Sequence, residues 1–209
     1  MPTIAEQKLF YDGFLKQLAT ENSRHKRIYQ SLDMLPLGKV LDLGCGAGLT
    51  SKYLADGGRD VLAVDFAPGV IAYSEKHNSN DRIKYVCADI TEFETTEKFD
   101  AICLIDVYEH LTNPWAVADL IGKASHDQTI IYLNIPYSET LAYLHNNHPQ
   151  ILQPVDNPSR IEEVLALFAG IGFVPFKMEL YWVQYIEYFF CSRKQFNFFM
   201  NKAYPCVLS

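Results

Sequence analysis

Three glycines at alternate positions, Gly44, Gly46 and Gly48, lie between an apolar run and a segment of helical pattern. A strand, a glycine-rich turn and a helix in this order bring backbone amides close to a ligand, because no Cβ atom is in the way. In open α/β sheets, ligands bind at the carboxyl ends of the strands, which is where this turn would lie. The spacing therefore predicts a ligand-binding loop.

The residues around this loop favour a ligand that carries positive charge. The spacing is GxGxG with Leu49 after the last glycine, whereas a dinucleotide site, which seats a pyrophosphate on a helix N-terminus, has GxGxxG. Asp42, two residues before the first glycine, would repel a pyrophosphate and attract an ammonium or sulfonium group. S-adenosylmethionine carries both of these groups.

Two further acids follow the next predicted strands. Asp65 ends the second strand about 20 residues past the loop, the spacing at which an acidic side chain reaches ribose hydroxyls in nucleotide-binding sheets. Asp89 follows the third strand, where its carboxylate is placed to accept a hydrogen bond from an adenine amino group beside the Ile90 backbone. In the alternative interpretation, the glycines form only a turn and the acids are helix caps or solvated surface.

The elements that must position these residues alternate along the chain. Apolar runs of strand length recur at 40–43, 61–64, 83–87, 101–105 and 129–135. Amphipathic segments of helical period separate most of them, at 49–55, 70–77 and 115–123. Strands that are apolar on both faces and separated by helices indicate a parallel, doubly wound sheet with right-handed crossovers.

Further elements flank this alternating pattern. Two helices are predicted before it, within residues 4–35 and interrupted around 20–23, and we expect them outside the core pattern. After a stretch rich in Pro and Asn at 136–158, a helix is predicted at 160–169. Two β-rich runs at 173–181 and 184–191 are close enough to pair as an antiparallel hairpin at the sheet edge.

Composition and charge narrow the class of protein. The chain has 209 residues, of which 49% are hydrophobic and 21% charged, as is typical of one folded domain. Its formal net charge is −7 and it has no dense basic run, which argues against a nucleic-acid partner. There is no signal-like N-terminus and no apolar stretch long enough for a bilayer, so we expect a cytoplasmic protein without a membrane partner.

The cysteines suit reduced thiols better than a disulfide frame or a zinc site. There are five of them, an odd number, and none forms a CxxC pair. The last four residues, CVLS, match the CaaX pattern for prenylation, but no polybasic stretch precedes them. We interpret that match as coincidence.

Several of these features together resemble the class I S-adenosylmethionine-dependent methyltransferases. They are VLDLGCGAG at 40–48, Asp65, the ADI turn at 88–90 and DAICLIDVYEHL at 100–111, within a matching region of roughly 39–135. The resemblance implies an α/β, Rossmann-like, doubly wound sheet of order 3-2-1-4-5-7-6, in which strand 7 is antiparallel and helices cover both faces. It also implies a single methyltransferase domain over 1–209, with a helical cap at 1–36, a cofactor-binding core at 39–135 and an acceptor-side loop, helix and edge hairpin at 136–209.

The resemblance implies S-adenosyl-L-methionine as the cofactor and S-adenosyl-L-homocysteine as its product. The candidate cofactor-binding residues are those of the glycine loop and of the strand ends: Asp42, Gly44, Cys45, Gly46, Gly48, Asp65, Phe66, Asp89, Ile90 and Asp106.

Methyl transfer from a sulfonium mainly requires an aligned nucleophile and the exclusion of water, so a general base is optional. His110, which follows the fourth strand, is the first candidate base, and Asp106 is a candidate catalytic or cofactor contact. Tyr11 resembles the N-terminal aromatic that closes over the cofactor in many small-molecule methyltransferases, although it equally fits the packed face of an amphipathic helix. His145 and His148 lie where the family usually builds part of the acceptor pocket.

The segment EHLTNP at 109–114 resembles the EHV segment of ubiquinone-biosynthesis O-methyltransferases. In some members of that group, an acid three residues earlier joins the Glu and the His in a divalent-metal site. Asp106, Glu109 and His110 match those positions. The EH pair also recurs in the larger family without any metal, so both possibilities stay open.

The predicted function is transfer of a methyl group from S-adenosylmethionine to an oxygen or nitrogen atom of a small-molecule metabolite. A carbon atom is a less favoured acceptor. One alternative is an NAD-dependent oxidoreductase, which has the right sheet but the wrong glycine spacing. The other is a non-catalytic regulatory protein that binds S-adenosylmethionine. The aromatic residues near 196–204 fit either an oligomer contact, such as a homodimer, or an apolar acceptor pocket.

Overall fold

A computed structural model describes residues 3–148, 153, 155–182 and 184–203 of the chain. Its strands are β1 (Lys39–Leu43), β2 (Asp60–Asp65), β3 (Ile83–Cys87), β4 (Phe99–Ile105), β5 (Ser125–Pro136), β6 (Phe173–Tyr181) and β7 (Tyr185–Ser192). They form one seven-stranded sheet of order β3-β2-β1-β4-β5-β7-β6. Strands β1 to β5 pair in parallel, and β7 pairs antiparallel with both β5 and β6. The predicted topology is confirmed.

Helices flank the strands in the order expected of crossover connections. They are α1 (Ile4–Leu18), α2 (Ser23–Leu32), α3 (Leu49–Asp56), α4 (Pro68–His77), α5 (Pro114–Ala124), α6 (Ser138–Asn147), α7 (Ile161–Gly170) and α8 (Arg193–Ala203), with a 3-10 turn at Tyr108–His110. Among the helices described, none has the length and apolar character needed to cross a membrane.

Two of these helices lie where the sequence did not predict them. Helix α6 occupies the stretch that we expected to be a loop, because the prolines of that stretch lie at Pro136 and from Pro149 onward and leave 137–148 free to be helical. Leu141 and Leu144 then share one helix face, and Leu141 is buried. Helix α8 contains most of the aromatic residues near 196–204, whereas Cys206 and the CVLS sequence lie outside the described residues.

The sheet separates two apolar layers, and β5 contributes to both because successive side chains alternate between its faces. Ile131 and Leu133 pack towards α5 and α7, while Tyr132 packs on the opposite face with residues of α2 and α3. All three side chains are fully buried. The order of the strands and the alternation within them thus give one core on each side of the sheet.

Helix α2, which precedes the alternating pattern in the sequence, packs in the second of these layers. Ile28 is 2% exposed and Leu32 is 0% exposed, and both pack in the layer that contains Tyr132. The end of the helix is held by Arg59, whose buried guanidinium donates hydrogen bonds to the carbonyl oxygens of Leu32, Leu35 and Pro36. The N-terminal region is therefore attached to the sheet by apolar contacts and by hydrogen bonds.

The glycine loop between β1 and α3 turns sharply against the end of β4. Gly44 has a φ of 73°, in the left-handed region that a side chain disfavours. A Cβ atom at Gly44 would lie 2.3 Å from the Cγ2 atom of Val107. Both the backbone conformation and the lack of space therefore require glycine at this position.

Replacement of Gly44 tests this packing. We expect Gly44→Ala to lower the free energy of unfolding by about 3 kcal/mol, because the strained φ and the contact with Val107 add together. Gly58→Ala is the matched control, since Gly58 has a φ of +91° but its Cβ would meet no atom within 4 Å. That control should lose about 1 kcal/mol through backbone strain alone. Urea unfolding measures both losses, and equal losses would contradict the close approach to Val107.

Candidate active site

A cavity of about 770 Å³ opens at the carboxyl ends of the parallel strands. Its lining comes from the glycine loop, from the ends of β2 and β4, and from helices α1, α2 and α6. Most of the predicted site residues border it, namely Tyr11, Gly44, Cys45, Gly46, Asp65, Phe66, Asp89, Ile90, Asp106, Glu109 and His110. A volume of this size is within the range of sites for small ligands.

Asp65 fixes the glycine loop to the end of β2. Its carboxylate accepts hydrogen bonds of 3.0 Å from the backbone amide of Gly46 and 3.0 Å from that of Ala67. Burial raises the pKa of Asp65, and the donating amides oppose part of that rise. Beside this carboxylate the cavity is open, since a Cβ atom at Gly46 would meet nothing within 4 Å.

Asp89 and Ile90 border the cavity next to this loop. The Asp89 Oδ1 atom accepts hydrogen bonds from the backbone amide of Thr91 at 2.9 Å and from its hydroxyl at 2.7 Å. The turn after β3 is therefore ordered by the side chain of Asp89, while Ile90, only 8% exposed, offers an apolar surface. A polar group and an apolar wall thus lie side by side, as an adenine ring requires.

Asp42 and Gly48, two of the predicted cofactor contacts, do not belong to the described lining. Asp42 is 1% exposed, and its Oδ2 atom accepts hydrogen bonds from Ser51 Oγ at 2.6 Å and Thr50 Oγ1 at 3.3 Å. Burial raises the pKa of Asp42 to about 6, although the two hydroxyls lower it. Asp42 thus ties the end of β1 to the start of α3. Gly48 is the N-cap residue of that helix and has a left-handed backbone conformation.

Asp106 is bound by a cation that the sequence analysis did not single out. Both of its carboxylate oxygens pair with the guanidinium of Arg24 from α2. Arg24 also donates to Asn134 Oδ1 at 2.5 Å and lies 3.8 Å above the ring centroid of Tyr185. Asp106 has a φ of 55°, an uncommon backbone conformation for a residue with a side chain.

A signal for Arg24 was present in the sequence but was ambiguous. Arg24 lies four residues before Ile28, so both share the face of α2 that turns towards the sheet. An arginine within the segment SRHKR looks like a solvated charge until its partner, which follows β4, is known. Only the tertiary structure pairs Arg24 with Asp106.

His110 is buried beside two acceptors that stabilise its cationic form. Its Nδ1 atom lies 3.1 Å from Asp156 Oδ1 and is hydrogen bonded to the carbonyl oxygen of Val155. Burial alone would lower the pKa of His110, but Asp156, Glu109 and the Val155 carbonyl raise it to about 9. A raised pKa favours the protonated form of His110 at neutral pH, so these contacts suit a hydrogen-bond donor better than a proton acceptor, and the role of His110 as a base stays a prediction.

The trio Asp106, Glu109 and His110 is not arranged as a metal-binding set. Asp106 is paired with Arg24, and the Nδ1 atom of His110 is used by Asp156. Burial raises the pKa of Glu109, and the neighbouring His110 cation opposes part of that rise. Within the described ranges, no group of three or more His, Cys, Asp or Glu side chains is placed to hold a metal ion.

Tyr11, a residue of α1, borders the cavity. Its ring centroid is 5.5 Å from that of Phe66 and 6.0 Å from that of His110. Burial, with the charges of Asp156 and Glu109, raises the pKa of Tyr11, so the phenol stays protonated at neutral pH. This placement fits the expected closing aromatic, and it also fits packing of an amphipathic helix.

The two histidines at the end of α6 lie away from the cavity. His145 and His148 are exposed, and neither belongs to the described lining of the cavity. Helix α6 instead borders the cavity with Thr140, Leu141 and Leu144. The part of the cavity that α6 borders is therefore more apolar than those histidines suggested.

Comparisons with known proteins show similarity to methyltransferases. Residues 41–124 match the family model described as methyltransferase domain. The chain is 29% identical to a malonyl-[acyl-carrier protein] O-methyltransferase of Anoxybacillus flavithermus, over 75% of this chain and 61% of that protein. It is 33% identical to a ubiquinone biosynthesis O-methyltransferase of Bradyrhizobium diazoefficiens, over 48% of this chain and 40% of that protein. The chain thus spans less than two thirds of the length of these relatives.

Solved structures share the whole fold at low identity. An S-adenosylmethionine-dependent methyltransferase from Mesorhizobium loti superposes with a TM-score of 0.71 at 14% identity, covering 81% of this chain and 98% of that one. The magnesium protoporphyrin IX methyltransferase from Synechocystis PCC 6803 with bound SAH gives a TM-score of 0.66 at 13% identity, covering 92% and 89%. Residues 41–124 thus match a methyltransferase domain model, and the fold is similar to that of S-adenosylmethionine-dependent methyltransferases.

Proposed function

We propose that this protein transfers a methyl group from S-adenosyl-L-methionine to an oxygen or nitrogen atom of a small molecule. The observation that carries the proposal is one cavity that joins the glycine loop, Asp65 and Asp89 to the Arg24–Asp106 ion pair. The curated relatives described above are named as O-methyltransferases, which favours oxygen as the acceptor atom.

The nucleoside end of the cofactor fits the side of the cavity near β2. The carboxylate of Asp65 can accept hydrogen bonds from ribose hydroxyls, in addition to those it accepts from the loop amides. Gly46 leaves open space beside it. Asp89 and Ile90 provide an acceptor and an apolar wall for the adenine ring.

The amino-acid end of the cofactor fits the opposite side. It carries an ammonium and a carboxylate, and the paired charges of Asp106 and Arg24 complement these two groups. When bound, the cofactor supplies the electrophilic methyl group. The chain itself holds the ligand by these charges and shields it with Tyr11 and the rest of α1.

The cavity orients an acceptor more readily than it deprotonates one. The pKa values of His110 and Tyr11 are both raised, so neither side chain accepts a proton at neutral pH. The site therefore favours an acceptor that is already nucleophilic there, such as a carboxylate, an acidic phenol or a neutral amine. The cation of His110 can in turn donate a hydrogen bond that orients an acceptor oxygen. Use of a small molecule, a cytoplasmic location and the absence of nucleic-acid and membrane partners stay predictions.

The direct test of activity is a screen of metabolite pools. Protein and S-adenosylmethionine are incubated with fractionated small molecules, and release of S-adenosylhomocysteine is measured. Release that depends on one fraction identifies the acceptor and supports the proposal. Tight binding of the cofactor without release in any fraction would favour a regulatory protein instead.

Asp65→Ala tests the ribose contact. We expect it to weaken S-adenosylhomocysteine binding by about 1–3 kcal/mol, because charged hydrogen bonds to the ligand are lost. Asp60→Ala is the control, since Asp60 begins the same strand and pairs with Arg82 at an exposed position. Isothermal titration measures both affinities. Unchanged affinity of the Asp65 variant would show that this carboxylate does not bind the ribose.

The raised pKa of His110 predicts a pH dependence of stability. An unfolded histidine has a pKa near 6.5, whereas the folded pKa of His110 is about 9. The stabilisation is therefore fully present below about pH 6.5 and is lost as the pH rises through about 9. The difference in unfolding free energy between wild type and His110→Gln should shrink over that window, by on the order of 3 kcal/mol.

Urea unfolding from pH 6 to pH 10 measures this difference. His148→Gln serves as the control, because His148 is exposed and should leave the profile unchanged. If the wild-type and His110→Gln profiles stay parallel across the window, His110 is not held as a cation.

A further inference from the structure

We infer that Glu187 is a positioning residue for the cavity: it fixes the orientation of α2 on the sheet, and α2 in turn holds Arg24 against Asp106. Glu187 itself does not border the cavity. The inference rests on the proposed function where it uses S-adenosylhomocysteine as the probe, and on the fold alone where it concerns α2.

Glu187 is a buried carboxylate with a full set of donors. It lies on β7, between β5 and β6, and is 0% exposed. Its Oε1 atom accepts hydrogen bonds from Arg27 at 2.7 Å and Lys177 at 3.2 Å, and its Oε2 atom accepts from Ser31 at 2.7 Å and Tyr132 at 3.3 Å. These donors offset the desolvation cost of burying the carboxylate, whereas loss of the carboxylate would leave the donors unsatisfied.

Two of these donors belong to α2, the helix that carries Arg24. Arg24, Arg27 and Ser31 are spaced three and four residues apart and therefore lie along one face of the helix. One end of this stripe pairs with Asp106 in the cavity, and the other end pairs with Glu187 in the sheet. Rotation or withdrawal of α2 would move both ends together.

A second connection runs through the sheet. Tyr132 and Asn134 are two residues apart on β5, so they point to the same face. The Tyr132 hydroxyl contacts Glu187 at 3.3 Å and Asn134 Nδ2 at 3.5 Å, while Asn134 Oδ1 accepts from Arg24 at 2.5 Å. Glu187 and Arg24 are therefore joined both by the helix and by a chain of side chains.

The chemistry of these contacts explains why a charge serves better here than an apolar residue. Ile28 and Leu32 already dock α2 by apolar burial, which is non-directional and tolerates rotation of the helix. The hydrogen bonds of Glu187 have directional requirements, so they select one rotation of α2 about its axis. That rotation is the one in which Arg24 meets Asp106.

The test is the affinity for S-adenosylhomocysteine. We expect Glu187→Gln to weaken it about tenfold, since a smaller fraction of the protein then holds α2 in the competent orientation. Glu179→Gln is the matched control. Glu179 contacts the same Arg27 and Lys177, at 3.0 and 3.3 Å, but its side chain is 48% exposed. Its variant should bind within about twofold of wild type, as expected for an exposed pair.

A double-mutant cycle separates positioning from general destabilisation. If Glu187 acts through Arg24, Glu187→Gln adds no further loss of affinity in an Arg24→Ala background, because the residue it positions is gone. A full tenfold loss in both backgrounds would overturn the inference. If Glu187→Gln fails to fold, Ser31→Ala removes a single hydrogen bond and should weaken binding about threefold with the same lack of additivity.

Hydrogen exchange of α2 in the ligand-free protein makes the two proposals distinguishable. Amides of residues 23–32 should exchange faster in Glu187→Gln than in Glu179→Gln, and equal exchange would overturn the anchoring. If Arg24→Ala weakens binding and Glu187→Gln does not, the inference fails and the proposed function stands. If the wild type binds no S-adenosylhomocysteine, the proposed function fails and the exchange result alone decides whether Glu187 anchors α2.

Discussion

The structure of the cavity depends on how the chain turns at the end of β1. The backbone amides of Gly44 and Cys45 both donate to the carbonyl oxygen of Val64, at 2.8 and 3.0 Å, and tie the loop to the end of β2. Val107, at the end of β4, fills the space that a side chain at Gly44 would need. The loop is thereby held between the two neighbours of β1, with its outer face towards the ligand.

Electrostatics divides the cavity into parts with different tasks. Near the loop, Asp65 is held by backbone amides and remains able to accept further hydrogen bonds. Near β4, Asp106 is paired with Arg24, and His110 is paired with Asp156. The acids that border the cavity are thus not a uniform negative surface, because two of them are matched by cations from other elements. Such an arrangement suits a zwitterionic ligand better than a simple cation.

Much of this could be predicted from the sequence, because the signals are local. The period of the apolar residues defines the strands, and the positions of Asp65 and Asp89 follow from the ends of those strands. Asp42 was assigned to the ligand because its distance along the chain is right, yet its side chain turns to Ser51 beneath the loop. In a strand, a shift of one residue changes the face, and spacing alone does not report it.

The residues that the sequence did not reveal are those defined by tertiary pairing. Arg24 meets Asp106 across 82 positions of sequence. Likewise, the pKa of His110 depends on Asp156, which no motif connects to it. Such pairs change the chemistry of predicted residues without changing their positions, as Asp156 does when it raises the pKa of His110.

We propose that the cavity is built for S-adenosylmethionine rather than for a dinucleotide. Equilibrium titration of the unmodified protein with S-adenosylhomocysteine and, separately, with NADH tests it most directly. We expect saturable binding of one S-adenosylhomocysteine per chain and no binding of NADH. Binding of NADH without binding of S-adenosylhomocysteine would contradict it.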